Sequence, residues 1–183
     1  MNTSTIPIRL RRPERADLTT LVDWMRDAEL IRMILGEHAT SIRQFREQIL
    51  SILTGGFGPA LSNTGHFILE SSDGTALGMS AFTKTSWRNR SAYFDVYVPE
   101  SFATPECLRA AYDLTIEFGF DELNLHRATV RIPGSDTTVQ SLLVELGAVQ
   151  EAVLRSHVLR NDVAEDQLLF GVLRREFAGE REP

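Results

Sequence analysis

Apolar residues recur with a period of two along some stretches of this chain and at helical spacing along others, and the switches between the two lay out its elements. Ile6 to Arg11 reads as a first strand. Asp17 then stands where a cap belongs, ahead of Leu18, Leu21, Val22 and Met25 at helical spacing. A second helix is predicted after Thr40 or Ser41, with Ile42, Phe45, Ile49 and Ile52 on one stripe, and Thr54 to Pro59 breaks it. From His66 the period becomes two. His66 to Glu70 and Ala76 to Thr85 flank Asp73-Gly74, a hairpin signal, and Ser91 to Val98 supplies a third strand. Helical spacing returns at Leu108, Ala111, Tyr112, Thr115 and Ile116 and ends near Gly119, before a strand from His126 to Ile132. Val139, Leu142, Leu143 and Leu146 mark another helix, which Gly147 stops as a left-handed cap. Two strands, Val149 to Leu159 and Gln167 to Leu173, come last. The order βαα, βββ, α, β, α, ββ predicts an α+β fold on a mixed sheet rather than a doubly wound one.

Composition narrows the picture. A chain of 183 residues with 43% hydrophobic content can bury one good core, so a single domain is expected, with short polar tails outside about residues 6–177. No apolar run approaches a membrane span, and Met-Asn-Thr-Ser-Thr at the start lacks the regions of a signal peptide, so a soluble, cytoplasmic protein is expected. The net charge of −6 opposes binding to nucleic acid or an anionic membrane and suits a cationic or amine partner. Cys107 is alone, which excludes an internal disulfide, and no CxxC pair exists to hold zinc. His38, His66, His126 and His157 are scattered without ligand spacing; structural or exposed roles are expected for them, and no metal is predicted.

The order of elements, together with "LNLHRATVRI" (Leu123 to Ile132), "SLLVELGAVQEAVLRSHVL" (Ser141 to Leu159) and "DQLLFGVLRREF" (Asp166 to Phe177), resembles the GNAT acyltransferases. Within them the chain is similar to the RimJ/RimL type, which acetylates protein N-termini and small amines; the resemblance runs from Ile8 to Phe177. It implies a GNAT-like mixed central sheet with helices on both faces, and an acetyl-CoA site between two splayed central strands. In the family the strand matching Ala92 to Val98 holds the pantetheine arm through its backbone, which makes Val96, Tyr97 and Val98 cofactor-binding candidates. The loop that follows, Q/R-x-x-G-x-G/A, wraps the pyrophosphate in backbone N–H groups at a helix N-terminus. Here that turn has no glycine and is about four residues shorter than in the family. Thr104 and Pro105 read as an N-cap and first helical residue instead. Asp136 and Val139 stand where the family often has Asn-x-x-Ser, and an acid beside a pyrophosphate repels it. Thr104 and Asp136 are thus candidates beside the cofactor, while acetyl-CoA binding itself is in question.

On the third strand, period two places Phe94, Val96 and Val98 on one face and Tyr93, Asp95 and Tyr97 on the other. Asp95 is the candidate general base or holder of a cationic amine, with Tyr93 or Tyr97 as proton donor. The competing reading is a structural cluster of two tyrosines on a half-buried aspartate. Trp24 and Phe57 are candidates for contact with substrate, Trp24 otherwise a core anchor and Phe57 otherwise part of a plain connection. Cys107 reads as buried packing, and Arg9, Arg11 and Arg12 beside Glu14 as a solvated strand edge. Two function classes remain. One is an N-acyltransferase moving an acyl group from acyl-CoA to the amine of a small molecule or peptide, with a homodimer as one assembly open to it. The other is a GNAT fold that no longer uses CoA, acting as a cofactor-independent enzyme or small-molecule binding protein. Either way, the strands Ala92 to Val98 and His126 to Ile132 are expected to be parallel neighbours.

Overall fold

The hairpin signal at Asp73-Gly74 builds the turn it predicts. In the computed structural model, which describes residues 7–24, 26–27, 30–31, 53, 63–160 and 162–178, strands β2 (Gly65–Ser71) and β3 (Ala76–Ser86) pair antiparallel around that turn. Gly74 takes a φ of 88°, open to glycine without steric cost. The Asp73 carboxylate accepts from the Ser71 hydroxyl and from the Thr75 N–H at 2.9 Å, and these bonds hold its pKa down to about 2.

β1 (Ile8–Arg11) adds to β2 antiparallel, and β4 (Ser91–Tyr97) lies parallel to β5 (Arg127–Pro133). β7 (Val163–Leu173) pairs antiparallel with both β5 and β6 (Val149–Arg160). The mixed seven-stranded sheet runs β1-β2-β3-β4-β5-β7-β6. The parallel register covers Ser91↔Arg127, Ala92↔Ala128 and Tyr93↔Thr129. Helix α2 (Pro105–Asp121) connects these two strands in sequence, as a parallel pair requires. No helix among the described residues is long and apolar enough to cross a membrane.

Contacts divide the chain into two units, Met1–Thr83 with Asp95–Thr115, and Lys84–Phe94 with Ile116–Pro183. In the first, Leu21 of α1 (Leu18–Trp24), Leu30, Ile68, Met79, Ala81 and Tyr97 form a buried cluster, with Trp24, Ile31 and Leu53 packed against it. The expected solvated edge holds for Arg9, Arg12 and Glu14, which are exposed, and is corrected for Arg11, which is half-buried. Arg11 donates to both oxygens of Asp17 at 2.7 Å and to Glu70 at 2.5 Å, and Arg9 donates to the other Glu70 oxygen at 2.7 Å. Glu70 is buried at 5% exposure directly across from Arg9 in the β1–β2 register, so the first strand's cations neutralise acids that burial would otherwise leave stranded. Asp17 is not the simple cap of α1 either: its carboxylate accepts from Glu14 N at 2.7 Å, tying down the turn before the helix.

In the second unit, Phe94, Phe120, Leu125, Ala128, Val130, Leu143, Phe170 and Val172 are buried. Helix α3 (Thr137–Glu145) ends as its sequence predicts. Gly147 is left-handed at φ 83°, its N–H donates to Val144 O at 3.0 Å, and Ala148 N donates to Leu143 O at 2.9 Å, a Schellman closure. β7 starts at Val163 rather than Gln167, because β6 and β7 form one long hairpin. β6 is the sheet's last strand and is interrupted by register shifts between Gln150 and Ala152 and between Leu154 and Val158. The predicted second helix with Ile42, Phe45, Ile49 and Ile52, the Thr54 to Pro59 breaker, Met25 and His38 lie outside the described residues.

The Arg11 network sets a pH dependence. Hydrogen bonds from Arg11 depress the pKa of both Asp17 and Glu70, so their contribution to stability is complete above about pH 4 and is lost as pH falls through the lowered values. Arg11→Met is expected to lower the thermal midpoint by about 5 °C or more at pH 7, with the gap to wild type closing as the medium is taken to pH 3. A gap that stays constant across that range would assign the loss to packing.

Candidate functional site

Strand β4 carries the candidate side chains, and its far end is placed by a close backbone contact. A Cβ on Gly78 of β3 would fall well inside van der Waals distance of the Tyr97 carbonyl oxygen and 3.3 Å from Val98 Cα, so only glycine lets the two chains approach this closely. Tyr97 is thereby sunk into the core at 6% exposure, as buried as the apolar face was expected to be, while Val96 and Val98 are half-buried. Its ring meets Trp24 edge-on at 5.8 Å, and its hydroxyl donates to Asp27 Oδ2 at 3.1 Å. Burial, reinforced by the Asp27 carboxylate, pushes the Tyr97 phenol well above its ordinary pKa, so it stays a protonated donor. Trp24 lies against the core cluster, and Phe57 lies outside the described residues.

The three residues grouped by alternation therefore have different surroundings. Asp95 is half-buried. Tyr97 is engaged with Asp27, which the sequence reading did not single out. Tyr93 faces two cations, with Lys84 Nζ 5.4 Å and the Arg131 guanidinium carbon 4.7 Å from its ring centroid.

Beyond β4 the chain makes a 3-10 turn at Glu100–Phe102 and enters α2. Several of its backbone donors are spent locally. Phe102 N donates to Pro99 O at 2.8 Å, Ala103 N to Glu100 O at 3.3 Å and Thr104 N to Phe102 O at 2.8 Å. Thr104 caps the helix as expected: its Oγ1 accepts from Cys107 N at 3.2 Å and its carbonyl from Leu108 N at 2.9 Å. Pro105 has no N–H to offer. Asp136 caps α3 in the same way, accepting from Val139 N at 3.1 Å. Cys107 is buried, and burial pushes its thiol pKa up, away from the reactive thiolate. His66 is buried too, its pKa pulled down to about 4 by burial, so it is neutral near pH 7. Among the described residues no group of three or more His, Cys, Asp or Glu is placed to hold a metal ion.

A family model described as an acetyltransferase (GNAT) domain matches residues 8–149. The chain belongs to this GNAT acetyltransferase family. It is 24% identical over 109 residues to the putative ribosomal N-acetyltransferase YdaF of Bacillus subtilis, a match covering 60% of this chain and 60% of that protein, less than two thirds of its length. It is also 24% identical over 176 residues to the uncharacterized N-acetyltransferase p20 of Bacillus licheniformis, covering 94% and 96% of the two chains. Among solved structures, a mutant form of the spermidine/spermine N-acetyltransferase SpeG of Vibrio cholerae superposes with a TM-score of 0.80 at 19% identity, covering 96% of this chain and 98% of that one. The spermidine N-acetyltransferase of the same organism, in complex with CoA and spermine, superposes with a TM-score of 0.77 at 19% identity, covering 93% and 97%. The mixed sheet of this GNAT domain is thus the fold those structures share.

The Gly78 contact is open to direct test. Gly78→Ala forces the Ala Cβ against the Tyr97 carbonyl and is expected to destabilise the domain by about 1–3 kcal/mol. Urea unfolding measures the loss, and a change in near-ultraviolet dichroism of Trp24 and Tyr97 reports the displaced strand. An unaltered spectrum and midpoint would mean that β4 has room to give.

Proposed function

We propose that this GNAT domain is an N-acyltransferase of RimJ/RimL type, moving an acetyl or acyl group from acyl-CoA to the amine of a small molecule or peptide. The observation that carries the reading is the family match, which extends through β4, α2, β5 and α3, the stretch that carries the family's chemistry. The amine acceptors named for the SpeG structures and the chain's net charge of −6 both support an amine partner.

Acyl-CoA supplies the thioester carbonyl; a C–N bond forms there, the C–S bond breaks, and the thiol leaves with the proton the amine gives up. Asp95, half-buried on β4, is the group proposed to hold the amine, take its proton and return it to the departing sulfur. Tyr97 is bonded to Asp27 and supports the strand rather than exchanging protons. The backbone of Val96, Tyr97 and Val98 is proposed to meet the pantetheine arm. The turn before α2 fits a pyrophosphate cradle poorly, because the N–H groups of Phe102, Ala103, Thr104 and Cys107 already bond Pro99, Glu100, Phe102 and Thr104. We therefore assign no pyrophosphate contact to Thr104 or Asp136, and the donor is held by its thioester end.

The same turn favours a second reading, a GNAT fold that no longer uses CoA and binds or transforms a small molecule unaided. Calorimetric titration with acetyl-CoA and with acetyl-pantetheine separates the two. The transferase is expected to bind both at micromolar to sub-millimolar concentration, within about tenfold of each other. Silence toward both at millimolar ligand would leave the second reading standing. Asp95→Asn is expected to keep stability within about 1 kcal/mol and to reduce turnover at least about tenfold. Lost stability with unchanged activity per folded molecule would move Asp95 to a structural role.

A further inference from the structure

The second unit contains a group of polar side chains that acyl transfer, as argued above, leaves unused. Lys84 and Arg131 both lie against the Tyr93 ring, at 5.4 Å and 4.7 Å from its centroid. Among the described residues neither is ion-paired with a carboxylate, and Arg131 Nε is buried without a hydrogen-bond partner. Two cations on one ring, neither paired with a carboxylate among the described residues, stand out in a chain of net charge −6. Of the acids in this unit, Glu165 has its Oε1 buried without a hydrogen-bond partner. Glu151 is paired with Arg127, and Glu165 accepts from Ser135 at 2.6 Å and pairs with Arg160 at 3.8 Å.

Two further observations point to a ligand. Gln167, only 2% exposed, has its side-chain oxygen without a partner. The registers Tyr93↔Thr129, Arg131↔Leu169 and Pro133↔Gln167 put Tyr93, Arg131 and Gln167 on the same face of the sheet. Lys84 adopts a left-handed φ of 49°, an unusual conformation for a residue with a Cβ. The unmet demands are complementary: Arg131 Nε requires an acceptor, beside which exposed Lys84 adds a second positive charge, and the buried Gln167 oxygen and Glu165 Oε1 require N–H donors. A phosphate answers only the first. A planar carboxylate fits the guanidinium fork, and an amine on the same molecule answers the second.

We propose that Lys84, Tyr93, Arg131 and Gln167 form a subsite for an amino carboxylate, with the carboxylate on the two cations and the N–H on Gln167. This rests on the acyltransferase reading only in making that ligand the acceptor, an amino acid rather than a polyamine. The test begins with a thermal-shift screen of the full chain against the standard amino acids, followed by calorimetry on the strongest. Its α-carboxamide, its decarboxylated amine and inorganic phosphate serve as matched probes.

The carboxamide and the amine are each expected to bind at least about tenfold more weakly than the amino acid, and Arg131→Gln to abolish that preference. Lys84→Gln, at an exposed position, is expected to weaken it in a chain that still folds. Equal binding of acid and carboxamide, phosphate binding as tightly as the acid, or no amino acid binding up to about 10 mM would each overturn the subsite. Thiol release with amines lacking a carboxylate, and none with amino acids, would overturn it while leaving acyl transfer intact. Selective amino-acid binding with no thiol release from acetyl-CoA or acetyl-pantetheine would support the subsite and sink the transfer.

Discussion

The backbone contact between Gly78 and the carbonyl of Tyr97 fixes where the last residues of β4 run, and the candidate site is arranged around it. Because the strands touch without an intervening side chain, the Tyr97 ring drops among Leu21, Leu30, Ile68, Met79 and Ala81, and its one polar atom must find a partner in the interior. Asp27 supplies it. The alternation of β4 that looks like an apolar face and a polar face is therefore a strand packed on both sides at this end, with Asp95 as the carboxylate left half-buried.

Features written in a few consecutive residues were legible. The Asp73-Gly74 turn, the Thr104 cap and the Gly147 stop each depend on a local backbone conformation and one or two nearby hydrogen bonds, so residue type alone specifies them. The mixed sheet was legible for a related reason, since the change from period two to helical spacing orders the elements and the long helix between β4 and β5 requires a parallel pair. What escaped depends on partners far apart in sequence. Tyr97 and Asp27 are 70 positions apart, and Arg11 and Glu70 are 59 apart, so nothing local marks Asp27 as a partner or Arg11 as anything but a strand-edge cation. The two phenols around one carboxylate were suggested by alternation, which tells which face a residue occupies but not what stands opposite it.

A backbone N–H can serve a turn or a ligand, and those of Phe102, Ala103, Thr104 and Cys107 serve the turn and the helix start. The junction carries no glycine. Glycine lets successive amides point outward into one concavity, whereas Phe102, Ala103 and Thr104 fold their amides back onto preceding carbonyls. A stable helix start and an open phosphate nest compete for the same atoms.

The broken register of β6 has a consequence for how copies of this chain meet. As the sheet's terminal strand it presents Val149, Val153 and Leu159 to solvent, the kind of border on which foreign strands can accrete. Yet between Leu154 and Val158 the ladder slips, and Ser156 turns left-handed at φ 49° with its N–H held by Asp166 at 2.8 Å. A straight incoming strand can follow the border on one side of that kink or the other, never along its whole length. The discontinuity thus denies an incoming strand a straight pairing along the full twelve-residue edge.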